Sequence, residues 1–384
     1  MQFVVHSHEI YAALDEFKRL DISAPLRVEL RDGAVILDGV SGGRRDCGSG
    51  CDAAERHLRI RISAFKSWGS GAFICAQDVL RSDLPALCVT YDAFGLSVNG
   101  RDGLFAESCD GVTRSWEPAA DALFDGAYKR YIGTPDCKEI AWAMHAADDI
   151  DNKIFSRICL RGDVVEATEG HMLMRGMLSS SGGFMLIPKD MADVASRHTG
   201  DLRFASTPCG VEWARFASDD GSLTYTTARP QCDRAWPDFS RVIPIGEPRV
   251  TIHVPHLLER IREAMKSIDA NIDVFDRQKA CYISLSCPKN ERKLRINAIE
   301  MIRPMSYPFD QLERSGNEAL RYAMLDDPSG VDALSGFGVA VNADFLLPIL
   351  EGFPERASMS LSDKAGPLVF DDGAHLALVM PIEV

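Results

Sequence analysis

Three groups of residues have types and spacings that could support chemistry. Cys47, Cys51 and His57 bring two thiols and an imidazole close together along the chain. That spacing is within reach of a zinc ion, but a structural zinc site takes four ligands and no second ligand pair follows. His171, between Gly170 and Met172, has the side chain of a general base. No nucleophile stands at a recognisable spacing from it, so it reads as a turn or packing histidine. Asp148, Asp149 and Asp151 are the ligand type for a divalent cation in a nucleic-acid enzyme, and equally the type found at a solvated helix end. The zinc-protease HExxH, the phosphate-binding Walker loop, the GxSxG elbow and the strand–GxGxxG–helix pattern are all absent from the sequence. The chain therefore reads as a binding protein with no catalytic residues, metal or cofactor. A metal-dependent nucleic-acid enzyme is the competing class.

Bulk properties narrow the partners. A chain of 384 residues holds two to four domains. With 42 basic against 56 acidic residues the net charge is −14, which excludes coating of nucleic acid by bulk charge and leaves room only for a local basic surface. No apolar run approaches the roughly 18 residues of a membrane span. The start, MQFVVHSHEIY, lacks the features of a signal peptide. Eleven cysteines, scattered without framework spacing, fit reduced thiols. A cytoplasmic protein with no membrane partner is the expectation.

The elements that must position any site come in repeats. Residues 183–216 read as strand, helix and two further strands. The same pattern fits around GAFICAQDVL before it and FGVAVNADFL after it, each with an aspartate, Asp78, Asp190 or Asp344, expected to cap the helix that follows. Paired short strands are expected next, at 87–91 and 96–98, 202–204 and 211–213, 359–361 and 368–370. A strand–helix unit precedes each copy: MQFVVHSHEIYAALDEFKRL, YIGTPDCKEIAWAMHAADD and RVTIHVPHLLERIREAMKSID. Repeats on this scale define the architecture, and the boundaries fall at 1–129, 130–248 and 249–384.

In order along the chain, Ile10, Leu14 and Phe17 form the apolar face of a first helix. Strands at 26–30 and 34–37 meet at the turn Asp32-Gly33. A second helix opens at Asp136 with Ile140, Met144 and Ala147 inward, before a strand at 155–160. The third domain's helix has the stripe Leu257, Leu258, Ile261, Ala264, Met265 and Ile268. Residues 302–337 read as an irregular surface insertion.

Three motifs resemble a known family. ATEGHMLMR at 167–175 is similar to the ATDGHRLA-type motif of bacterial sliding clamps, the beta subunit of DNA polymerase III. WPDFSRVIP at 236–244 is similar to that family's FPDYRRVIP motif, and LALVMPIEV at 376–384 to its YVVMPMRL terminal strand. The resemblance covers the whole length in architecture and is strongest from about residue 131 onward.

The resemblance implies an α+β fold of three repeated clamp domains, with helices lining a ring and antiparallel sheets outside. It implies a head-to-tail homodimer that encircles double-stranded DNA without sequence preference and tethers the replicative polymerase as a processivity factor. DNA polymerase and clamp-loader subunits would dock through short peptide tails. Carried over by motif, the peptide pocket comprises Phe155, Thr168, Gly170, His171, Leu173, Pro237, Arg241, Val242, Leu378, Met380, Pro381 and Ile382. The channel-facing cations would be Lys18, Arg19, Arg81, Lys189, Arg197, Arg260, Arg262 and Lys266. Met172 and Glu383 stand where the family has arginine, removing positive charge from the pocket rim. A clamp-like scaffold that does not close remains a third reading.

Overall fold

The computed structural model describes residues 1–41, 55–108, 121–124, 126–147, 154–206, 211–230, 235–243, 249–269, 278–287, 293–303, 313–324, 337–361 and 366–381. One module, a strand, a helix and further strands, recurs six times along it. The first is β1 (Gln2–His6), α1 (Ser7–Arg19), β2 (Leu26–Arg31), β3 (Ala34–Ser41) and β4 (Glu55–Ser63), followed by the short β5 (Lys66–Trp68). In the second, β6 (Gly71–Cys75) leads into one 3-10 turn at Gln77–Leu80, then β7 (Ala86–Asp92), β8 (Gly95–Val98), β9 (Arg101–Leu104) and β10 (Glu107–Ser108). The third has β11 (Tyr128–Ile132), α2 (Thr134–Ala143) and two long strands, β12 (Arg157–Thr168) and β13 (Met172–Pro188). β13 runs unbroken into the fourth: α3 (Lys189–Arg197), β14 (Gly200–Ser206), β15 (Val211–Ser218) and β16 (Leu223–Pro230). The fifth is β17 (Arg249–His253), α4 (Val254–Asp269), β18 (Gln278–Cys287), β19 (Lys293–Arg303) and β20 (Glu313–Met324). The sixth is β21 (Phe337–Asn342), α5 (Ala343–Glu351), β22 (Arg356–Leu361), β23 (Leu368–Asp371) and β24 (His375–Val379).

Local chemistry accounts for these elements. The helical spacing of Ile10, Leu14 and Phe17 buries all three against the sheet. Asp32 and Gly33 both take positive φ, 52° and 73°, the two-residue turn whose twist matches a β2–β3 hairpin. Gly39 on β3 lets the ring of Phe17 lie directly on the strand, because a Cβ there would stand 2.6 Å from that ring. Leu257, Leu258, Ile261 and Ala264 are buried along α4 as their stripe predicts.

The chain divides into two compact units, Met1–Cys137 with Ser179–Asp233, and Lys138–Leu178 with Arg234–Val384. The first holds a five-stranded sheet, β5-β1-β7-β8-β9, and a nine-stranded one, β10-β6-β2-β3-β4-β16-β15-β14-β11. The second holds the six-stranded β12-β13-β24-β23-β22-β17 and the four-stranded β20-β19-β18-β21. The strands pair antiparallel among the described residues. Across modules, and leaving aside the short β5 and β10, last strands meet last strands: β4 pairs β16 from Leu223↔Ile60 to Ala228↔Glu55, and β13 pairs β24 from Met172↔Val379 to Gly176↔His375. The two other last strands, β9 and β20, each end a sheet.

Several expectations are corrected. The aspartates sit inside the first turn, not at the position before it: the residue before α3 is Pro188, and that before the turn holding Asp78 is Ala76, neither with a side-chain cap, although Asp190 Oδ1 does accept from a first-turn N–H, that of Met191, at 2.8 Å. At α5 the cap is Asn342, which accepts from the N–H of Asp344. Asp190 Oδ2 also pairs with Arg56 at 2.9 Å and accepts from the Tyr225 hydroxyl at 3.0 Å, binding α3 to β4 and β16. Only a 3-10 turn follows Asp78 where a helix is expected, and Met144 is half-buried. The stretch 302–337, expected as an irregular insertion, contains β20, which pairs with β19 through one register shift between Ile299 and Met301. His57 is 5% exposed on β4, facing Asp38 at 3.5 Å. Cys47, Cys51, Asp148, Asp149 and Asp151 lie outside the described residues.

Candidate functional site

Within the second unit, strand register gathers an apolar cluster. Leu173 on β13 is directly opposite Leu378 on β24, which is opposite Val369 on β23, so all three share one face. They are buried, and Phe239, Ile243, Leu376 and Met380 pack around them half-exposed. An apolar cluster with a partly open rim can receive leucine or phenylalanine anchors.

Two turns frame the cluster. Between β12 and β13 the Thr168 hydroxyl donates to the carbonyl of Met172 at 2.7 Å and accepts from the N–H of Gly170 at 3.0 Å. Glu169 accepts from the N–H groups of His171 and Met172 at 2.7 and 2.8 Å. Gly170, at φ +103°, has the ring of Phe155 beside it. His171 is exposed, and its ring stacks on Phe345 of α5 with centroids 6.1 Å apart. The second turn is the 3-10 helix Phe239–Arg241, capped by Asp238. Hydrogen bonds from the hydroxyl and N–H of Ser240 hold that carboxyl below its ordinary range.

Leu173, Leu378 and Met380 of the expected pocket thus join the cluster. Thr168, Gly170 and His171 form the adjoining turn, and Phe155 touches it. Pro237 and Pro381 are half-buried, Arg241 and Val242 are exposed beside Phe239, and Ile382 lies outside the described residues. Sequence reasoning missed Phe239, Ile243, Val369 and Leu376. The two-residue spacing of Leu376, Leu378 and Met380 was the available signal, as was Phe239 within its motif.

The expected channel cations divide by what surrounds them. Lys18 and Arg19 end α1 exposed, and Lys266 is exposed on α4. Arg81 lines a cavity of about 450 Å³ with Asp78, Asp83, Leu84, Arg101 and Leu104. Lys189 is half-buried at the start of α3. Arg197 is paired with Glu16 and Asp193, Arg260 with Glu263, and Arg262 with Glu351. Across the five α-helices among the described residues twelve acidic residues stand against eight Lys and Arg, so these helices carry no basic excess.

No protein-family model matches the sequence, and no curated protein matches it. Solved structures match over the full length. The DNA polymerase III beta subunit of Thermotoga maritima is 13% identical, with a TM-score of 0.66, covering 100% of this chain and 99% of that one. The sliding clamp (DNA polymerase III subunit beta) of Bartonella birtlesii, bound to griselimycin, is 16% identical with a TM-score of 0.67, and both chains are covered completely. The beta clamp of Helicobacter pylori, bound to a DNA ligase peptide, is 15% identical with a TM-score of 0.64 and complete coverage of both. The chain has the α+β sliding-clamp fold.

Proposed function

We propose that this protein is a DNA sliding clamp: two copies close head to tail around duplex DNA and tether the replicative polymerase, without catalysing a reaction. The reading divides the chain into clamp domains at 1–129, 130–248 and 249–384, two modules to each. The observation that carries it is the pairing rule among modules. First joins fourth and third joins sixth through their last strands, which leaves β9 of the second and β20 of the fifth as sheet ends. Applied once more, the rule pairs β9 of one copy with β20 of another, and a second such contact closes a two-fold assembly. Closure also removes two open sheet edges from each copy. Apolar side chains beside both edges support this: Phe105 is 76% exposed, Leu320 43% and Tyr322 42%.

The cluster around Leu173 and Leu378 is read as the pocket for short peptide tails of DNA polymerase and clamp-loader subunits. The ligand of the Helicobacter pylori structure, a peptide, supports this. With no basic excess on the helices, DNA is held by topology and not by charge, independently of sequence. We place this activity in the cytoplasm. Light scattering tests the assembly: a particle of about twice 42.2 kDa is expected. Leu320→Asp combined with Tyr322→Asp should halve it. A wild-type monomer at micromolar concentration contradicts the proposal.

A further inference from the structure

The segment that carries Phe239 and Ile243 into the apolar cluster belongs to no strand, so something must set its pose. Two of its ties are internal: Asp238 caps the 3-10 turn, and the N–H of Ile243 donates to the carbonyl of Phe239 at 3.2 Å. A third reaches the sheet. The indole N–H of Trp236 donates to Oε2 of Glu166 on β12 at 3.0 Å. Glu166 is 1% exposed, and a carboxylate so placed is costly unless it is paired. Arg175 on β13 pairs it, with Nε at 2.6 Å and Nη2 at 2.5 Å from Oε1. Arg161 stands 3.9 Å from Oε2. One oxygen is thus held by a guanidinium fork and the other presented to the indole. The Trp236 ring then meets Phe239 edge to face, centroids 6.0 Å apart at 74°.

We infer that the Glu166–Trp236 hydrogen bond is a positioning latch that holds residues 236–243 in the pose in which Phe239 and Ile243 wall the peptide pocket. The inference rests on the peptide-pocket reading of Leu173, Leu378 and Met380. Trp236 touches the wall, not the ligand. A segment fixed in advance spares the incoming peptide the cost of ordering it, and that difference appears directly in affinity. Phenylalanine at this position keeps a ring against Phe239 but leaves one oxygen of a buried carboxylate without its indole donor.

The test is fluorescence anisotropy of a labelled hexapeptide ending in Leu-Phe, titrated with the full chain. Wild type is compared with Trp236→Phe, Met380→Ala and Trp236→benzothienylalanine, an analogue that keeps the ring size and lacks the N–H. Both changes at Trp236 should weaken binding about tenfold, the scale of one hydrogen bond to a charged group. Amide exchange at Val242 and Ile243 should quicken in both, with the melting temperature of the benzothienyl variant nearly unchanged. If that variant binds within about twofold of wild type, or if exchange at those amides is unaltered, the latch is refuted. If wild type does not bind the peptide, or Met380→Ala binds as wild type does, the pocket reading falls and takes the latch with it.

Discussion

The N–H of Met380 donates to the carbonyl of His171 at 2.7 Å, fastening the end of β24 to the turn that opens β13. Through that one bond Met380, the residue after β24, is fixed beside Leu173 and Leu378. The backbone tie does not depend on the side chain. Met380→Ala should therefore leave fold and dimer intact and remove one wall of the pocket. Truncating an anchor contact costs about 2 kcal/mol, or roughly thirtyfold in Kd. Peptide titration with a parallel light-scattering measurement checks this, and unchanged affinity in a folded dimer contradicts it.

His375 makes stability depend on pH in a stated direction. Its Nε2 lies 3.0 Å from Glu139 and its Nδ1 3.0 Å from Asp372. Trp142 and Phe353 stand edge-on to its ring. The hydrogen bond to Glu139, with that to Asp372, outweighs burial and raises its pKa from 6.5 to about 9. A raised folded-state pKa gives stability that is complete below pH 6.5 and lost as pH rises through about 9. The full effect is on the order of 3 kcal/mol before screening. Melting curves of wild type and His375→Gln should differ most near pH 6 and converge towards pH 10. A constant difference across that range contradicts the assignment.

The helices predict a weak direct grip on DNA. Arg197, Arg260 and Arg262 are already paired with carboxylates, which leaves the exposed Lys18, Arg19 and Lys266 as the helix cations most able to displace phosphate counterions. Binding to open linear duplex should be barely measurable at about 150 mM salt. With those three cations on each of two copies, at low salt the slope of log K against log salt should be no steeper than about −5. A slope near about −10 would mean that the ion pairs open on DNA.

Gly39→Ala tests the packing of α1. The added methyl meets the Phe17 ring at 2.6 Å and Ile22 Cγ2 at 2.9 Å, and both residues are fully buried. Overpacking of this kind costs about 1–3 kcal/mol. Thermal unfolding should shift down by several degrees, and no shift would mean that α1 can move off the sheet.

Much of the fold was legible where a single face is buried. Ile10, Leu14 and Phe17, or Leu257, Ile261 and Ala264, announce their helices because burial on one side imposes a 3.6-residue period. β20 was not legible, since its sequence ERSGNEALRYAM breaks alternation with Gly316 and Asn317. An edge strand with one neighbour tolerates such residues. In the site, Thr168, His171, Leu173 and Leu378 were legible through linear motifs. Val369 was not, because it reaches Leu173 only through the pairing of β23 with β24 and of β24 with β13. Glu166 was hidden likewise, as its partner Trp236 is far along the chain.

The central claim is topological enclosure of DNA, and one measurement addresses it directly. The protein is threaded onto a linear duplex, both ends are blocked with biotin–streptavidin, and the complex is washed at moderate salt. Bound protein is then counted before and after a restriction enzyme cuts between the blocks. Enclosure predicts retention on the blocked duplex and loss upon cutting. Retention that is the same before and after the cut contradicts it.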